Sequence, residues 1–159
     1  MEVSMKGRRL LLSLVLASVV ALALAGAASA ARLDVADHGG SLLSTELTGA
    51  AEVPAGDLDG SGTATITVNP GQEEVCWEIV AVGIELPATA AHIHVGAPGT
   101  APPNNVVVTL SAPDASGFSS GCTTVERDLA LDILQNPEGY YVNVHNEPFP
   151  TGAIRGQLS

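Results

Sequence analysis

Three histidines stand where their side chains could hold a metal ion. In Ala91-His92-Ile93-His94-Val95 two of them are at i and i+2, so an extended strand projects both from one face while Ile93 enters the other. His145 ends the run Tyr140 to His145, where alternation gives it the same face as Tyr141 and Asn143. An H-x-H pair with a third imidazole from a neighbouring strand suits copper or zinc, because imidazole is a good borderline ligand and a strand fixes the bite. The competing account has the same histidines hydrogen-bonded separately, to backbone carbonyls or to polar neighbours such as Asn143, with a purely structural result. His38 falls in a small, polar stretch and is set aside. Asp57-Leu58-Asp59-Gly60-Ser61-Gly62 has the oxygens of a calcium loop at its first, third and fifth positions, but the twelfth, which needs a bidentate Glu, is Val68. It reads as an acidic turn. No nucleophile elbow, phosphate loop or Ser/His/Asp arrangement is present.

The histidines need strands to carry them, and the chain is patterned for strands. Thr63 to Val68 alternates polar against apolar, as a strand with one wet and one dry face does. Asn69-Pro70-Gly71 turns the chain, and Glu74 to Val82 puts Val75, Trp77 and Ile79 on one face with Cys76, Glu78 and Val80 on the other. Further strands are predicted at Ala90–Val95, Val106–Leu110, Phe118–Val125, Tyr140–His145 and Gly152–Leu158. One helix is predicted over Arg127–Gln135, where Leu129, Ile133 and Leu134 fall at helical spacing and Asn136-Pro137 stops the run. Short strands at regular spacing without βαβ alternation predict an all-β antiparallel sandwich.

The N-terminus predicts export. Lys6, Arg8 and Arg9 precede an uncharged run from Leu10 to Ala25, and Ala28-Ser29-Ala30 supplies small residues for cleavage after Ala30. The apolar run approaches the roughly 17–25 residues of a membrane span, but the cleavage site favours a signal peptide. Arg8-Arg9 followed by two leucines also bears a weak likeness to a twin-arginine signal. Residues 31–42 read as a flexible leader and 43–159 as the domain. Cleavage removes three positive charges and one negative, moving the formal net charge from −11 to −13 and leaving only Arg32, Arg127 and Arg155 positive. That balance excludes nucleic acid and anionic membrane surfaces as partners, since both are bound through Lys and Arg. In an oxidising compartment Cys76 and Cys122 are expected to pair as a staple.

The quoted segments resemble the CHRD domain, the module of chordin that is also found in bacterial exported proteins. Leu47-Thr48-Gly49 with Glu52-Val53-Pro54, Ala91-His92-Ile93-His94 with Gly96, Tyr140-Tyr141-Val142-Asn143-Val144-His145, and Phe149-Pro150-Thr151-Gly152-Ala153-Ile154-Arg155-Gly156-Gln157-Leu158 occur in the family's order. The resemblance implies an immunoglobulin-like sandwich similar to that of Cu/Zn superoxide dismutases. It also implies that His92, His94 and His145 stand where the dismutases hold copper, and that Arg155 stands where they steer the anion. No histidine matches the bridge to zinc, so only a single-metal site is compatible. The expected function is a secreted or envelope binding module, non-enzymatic, for an unidentified extracellular or envelope ligand. The alternatives are a copper or zinc site with a metal-carrier or dismutase-like role, and a structural or adhesive domain.

Overall fold

The computed structural model describes residues 39–159; the expected signal peptide, its cleavage site and most of the expected leader lie outside the described residues. Eight strands follow one another as β1 (Ser41–Thr48), β2 (Ser61–Asn69), β3 (Glu74–Val82), β4 (Ala90–Val95), β5 (Val106–Leu110), β6 (Phe118–Thr124), β7 (Tyr140–His145) and β8 (Ile154–Gln157). One helix, α1 (Arg127–Gln135), lies between β6 and β7. β1 starts at Ser41, so it takes in the last two residues of the segment read as leader.

The all-β antiparallel fold with one short helix is as predicted. The strands join in a single sheet, β5-β4-β7-β8-β1-β2-β3-β6, instead of two separate ones. Its halves meet at β8 and β1, through the pair Thr48 and Arg155. There Gly156 is required: a Cβ on it would stand 2.1 Å from the Glu46 carbonyl oxygen. The inner residues of both halves, including Ile66, Val75, Trp77 and Ile79 on one side and Ile93, Val142, Val144 and Ile154 on the other, form one continuous core. This is the two-layer solution by which half-apolar sheets bury their dry faces. The free edges, β5 and β6, converge where Ser119 Oγ donates to the Ser111 carbonyl at 2.6 Å. Further along they part around a cleft of about 430 Å³ floored by Leu129 of α1.

Alternation decides which residues reach the core. In β7 Tyr140, Val142 and Val144 point inward, which sends Tyr141, Asn143 and His145 to the other face. In β3 the buried set Val75, Trp77 and Ile79 is the one that the sequence pattern indicates, and the Trp77 indole lies against Gly121, its partner across the ladder. Cys76 and Cys122 are also directly paired across that ladder and form a disulfide. α1 buries Ala130 and Ile133, while Leu129 and Leu134 pack against the core from the side.

Candidate functional site

The outward face of β4, β7 and β8 carries an ordered grid of polar side chains. Register sets His94 beside Tyr141 and Tyr141 beside Gln157, and in the next row His92 beside Asn143 and Asn143 beside Arg155. His145 follows Asn143 on the same face of β7. This face is covered by connecting segments, so Asn143, Arg155 and His94 are buried while His92 and His145 are half-buried.

The three predicted histidines come together. One nitrogen from each of His92, His94 and His145 lies within 4.8 Å of the other two. His92 Nδ1 and His145 Nε2 are 3.1 Å apart, which requires a single shared proton between them. The other nitrogen of His145 donates to the Pro150 carbonyl at 3.1 Å, so its Nε2 lone pair faces His92. Two ligands at about 2.1 Å from one ion can be no further apart than about 4.2 Å, so the imidazoles have to draw together from their present spacing to close around copper or zinc. The donors fit such an ion: neutral nitrogens, with carbonyl oxygens behind them to orient the rings.

Electrostatics keep the cluster neutral. Burial pushes the His92 imidazolium down to a pKa of about 4, and the neighbouring His145 and His94 add to the effect. Burial also lowers His94, with its two asparagine contacts pulling partly the other way, and lowers His145 against the Pro150 carbonyl. Neutral imidazole is the form that binds metal. The same shifts bear on stability. A histidine whose folded pKa lies below its usual 6.5 contributes stability that is complete above about pH 6.5 and is lost as pH falls toward 4. We therefore expect the domain to lose about 2 kcal/mol through His92 between pH 7 and pH 4, after allowance for solvent screening. Urea melts of wild type and His92→Gln at the two pH values check this: the variant should lose less on acidification, and an equal loss contradicts it.

Around the histidines stand groups that motif reading did not single out. His94 Nδ1–H donates to Asn105 Oδ1 at 2.8 Å, and His94 Nε2 lies 2.9 Å from Asn143 Oδ1. Asn105 is itself fixed, donating through Nδ2 to the Val95 carbonyl and to the Tyr141 hydroxyl oxygen, each at 2.9 Å. Asn143 also hydrogen-bonds the carboxylate of Glu52, whose pKa is raised by burial and is held back by Asn143 and by Arg155. Glu52 is buried, and its Oε1 has no hydrogen-bond partner. No spacing rule connects Glu52 to the histidines; the polar pair Glu52-Asn143 exists only because the segment after β1 folds over β7.

Arg155 lies in the same grid, inside the protein at 1% exposure. Its guanidinium donates to the carbonyls of Thr100 at 2.6 Å and Ala97 at 3.3 Å, and to Gln157 Oε1 at 3.3 Å. It also lies 3.3 Å over the Tyr141 ring, while His94 stacks parallel to that ring at 4.8 Å. Gln157 Nε2 donates to the Gly96 and Glu138 carbonyls, both at 2.7 Å. These contacts hold the 96–100 segment over the face. Elsewhere Asp57 and Asp59 form a turn, with the Asp59 N–H donating to Asp57 Oδ1 at 3.2 Å, as the acidic-turn reading requires. Glu74 lies close to Cys76 and Cys122, but the disulfide takes both thiolates out of metal chemistry.

Residues 43–158 match the family model of the CHRD domain. No curated protein matches the chain.

Proposed function

The chain belongs to the CHRD domain family, and from that premise we propose that it is an exported, non-enzymatic binding module that takes up one copper or zinc ion at His92, His94 and His145. The observation that carries this reading is the convergence of three imidazoles whose nitrogens lie within 4.8 Å of one another. Their neutrality supports it further, since a protonated cluster would repel a cation. Loops over the face limit access, which favours holding an ion over turning over a substrate. Extracytoplasmic location is supported by the disulfide and by the charge and apolar pattern of residues 1–30. We assign Arg155 to holding the 96–100 segment in preference to steering an anion, because its donors already face carbonyls.

The test is a titration of tag-free mature protein with Zn(II) and with Cu(II), followed by calorimetry and competition with a chelator. One equivalent should bind, and His92→Ala or His145→Ala should weaken binding at least about 100-fold, the upper end of what even an outer-shell group contributes. Folded wild type that takes up neither ion would overturn the reading. The histidines would then serve as the hydrogen-bond partners of a structural or adhesive domain.

A further inference from the structure

We propose that the gap between β5 and β6 is a docking slot for an extended segment of another polypeptide, one that alternates apolar with basic residues and adds to the sheet as a further strand. This goes beyond ion uptake and uses another part of the molecule, so either reading can fail while the other stands.

Each of these strands has a single neighbour in the sheet, β4 for β5 and β3 for β6. Main-chain groups alternate in direction along an antiparallel strand, so the ladder fixes which residues face the gap. The Val95 N–H donates to the Asn105 carbonyl, and alternation from Val95 turns Ile93 and Ala91 toward β5 and their partners Val108 and Leu110 toward β4. The N–H and C=O of Thr109, between those partners, therefore face the gap. On β6 the Gly117 carbonyl accepts from the Ala81 N–H and the Val125 N–H donates to the Glu73 carbonyl, which by the same rule turns Cys122 and Thr124 away from β3. Thr109 and Thr124 both line the cleft. An extended backbone is the chemistry that satisfies such edges, by adding a strand. Edge strands are commonly blunted by proline or by charged side chains. Neither Val106–Leu110 nor Phe118–Thr124 holds any of these. The register of β5 slips opposite Ile93 and His94, and a bulge of that kind bends its strand, in keeping with the parting of the edges. Below the gap, buried Val108 and Val125 with half-buried Leu129 give an apolar floor for every second side chain of an added strand. The rim sets the charge. Glu126 lines the cleft, and Glu73 and Glu74 stand at the adjoining end of β3, Glu74 opposite Thr124. Arg127 follows Glu126 but gives its guanidinium to the Pro70 carbonyl at 2.9 Å. Basic side chains at the remaining positions of the segment complement this rim, whereas a second copy of a chain with formal net charge −11 is repelled by it.

The experiment is binding of a capped, dye-labelled peptide of about seven alternating lysine and valine residues, the length of a short strand, to tag-free mature protein, read by fluorescence anisotropy and by amide NMR shifts. The shifts should centre on Thr109, Thr124 and Leu129. N-methylation of every second residue removes all the donors along one edge of the peptide. Of the valine-methylated and the lysine-methylated forms, at least one should therefore bind about tenfold more weakly, the weight of one or two net hydrogen bonds. Thr109→Pro takes away an N–H that the β4 ladder does not use and should also weaken binding severalfold. Glu126→Gln should lower the affinity and its dependence on salt, and a peptide alternating glutamate with valine should not bind. Each variant is checked for folding by thermal melting, and the methylated peptides carry the test should Thr109→Pro fail to fold. Binding that neither methylation moves would reduce the interaction to charge alone and overturn strand addition. Shifts centred on the exposed pair Val80 and Phe118, or no binding of the lysine–valine peptide, overturn the slot. A dimer in sedimentation that excludes the peptide gives the slot to a second copy and overturns the assignment of its occupant.

Discussion

Arg155→Ala is expected to destabilise the domain by about 3–5 kcal/mol, the usual loss when one partner of a buried charged network is removed. Arg155 is the largest fully buried side chain among the described residues. Its removal takes the guanidinium from the Thr100 carbonyl and from the Ala97 carbonyl, which keeps the Thr100 N–H and hydroxyl, and takes the cation from the Tyr141 ring. Glu52 would also lose the positive charge that favours its ionised form. Hydrogen bonds to a charged group contribute about 1.5–3 kcal/mol each, and the space the buried guanidinium leaves loosens the 96–100 segment above it. Against a total stability of 5–15 kcal/mol typical of domains, the variant should sit near its unfolding threshold. Arg155→Lys should recover little, because one ammonium cannot both lie flat on Tyr141 and serve two separated carbonyls. Guanidinium melts of the three proteins measure this. A residue that only steered an anion would leave the melting midpoint unchanged, so equal midpoints would return Arg155 to the steering role.

The effect should reach the histidines. Tyr141 has Arg155 over its ring and His94 stacked against it, and its hydroxyl accepts from Asn105, the partner of His94 Nδ1. The column Arg155–Tyr141–His94 runs across β8, β7 and β4, so the guanidinium acts on the cluster through packing. Arg155 is in this sense a positioning residue, and its conservative variant should disturb His94 more than His145, which is oriented independently by Pro150.

Much of this was legible from period-2 patterning. The strands Glu74–Val82, Ala90–Val95, Val106–Leu110 and Tyr140–His145 and the helix Arg127–Gln135 have the bounds that alternation and turn residues indicate. H-x-H on β4 together with the alternation of β7 placed three histidines on one face, because a strand projects every second side chain the same way. What alternation cannot show is which strands become neighbours. That β8 lies beside β7 and that the sheet continues through β1 are set by long-range pairing, as is the position of Arg155 under the loops. Glu52 and Asn105 were invisible as site residues for the same reason: they sit in connections, where no periodicity applies, and gain meaning only when those connections close over β4 and β7. Asn143 was visible as a neighbour of the histidines but not as the link between His94 and Glu52.

Removing the disulfide is the other large effect expected. Cys76 and Cys122 face each other across β3 and β6 with their Cα atoms 4.0 Å apart, and 46 residues of sequence separate them. In the chain-entropy account a closed loop of that size raises the free energy of the unfolded chain so that the fold gains about 4 kcal/mol. The bond is placed where the fold has most need of it. β6 is an edge strand, hydrogen-bonded to β3 on one side and opening on the other to the cleft beside β5. Between the cysteines lie β4, β5 and the loops of the histidine face, so the staple constrains the whole segment that carries His92, His94 and Asn105. We expect Cys76→Ala with Cys122→Ala to lose about 2–5 kcal/mol, and alanine at the buried Cys76 avoids adding a hydroxyl there. The denaturant slope should increase, because an unfolded chain without the cross-link exposes more surface. Adding a thiol reductant should lower the wild-type midpoint toward that of the double variant and leave the variant unmoved. A wild-type midpoint that matches the variant in oxidising buffer would show that the staple contributes nothing, and that edge strand β6 is held by its ladder and by Trp77 alone.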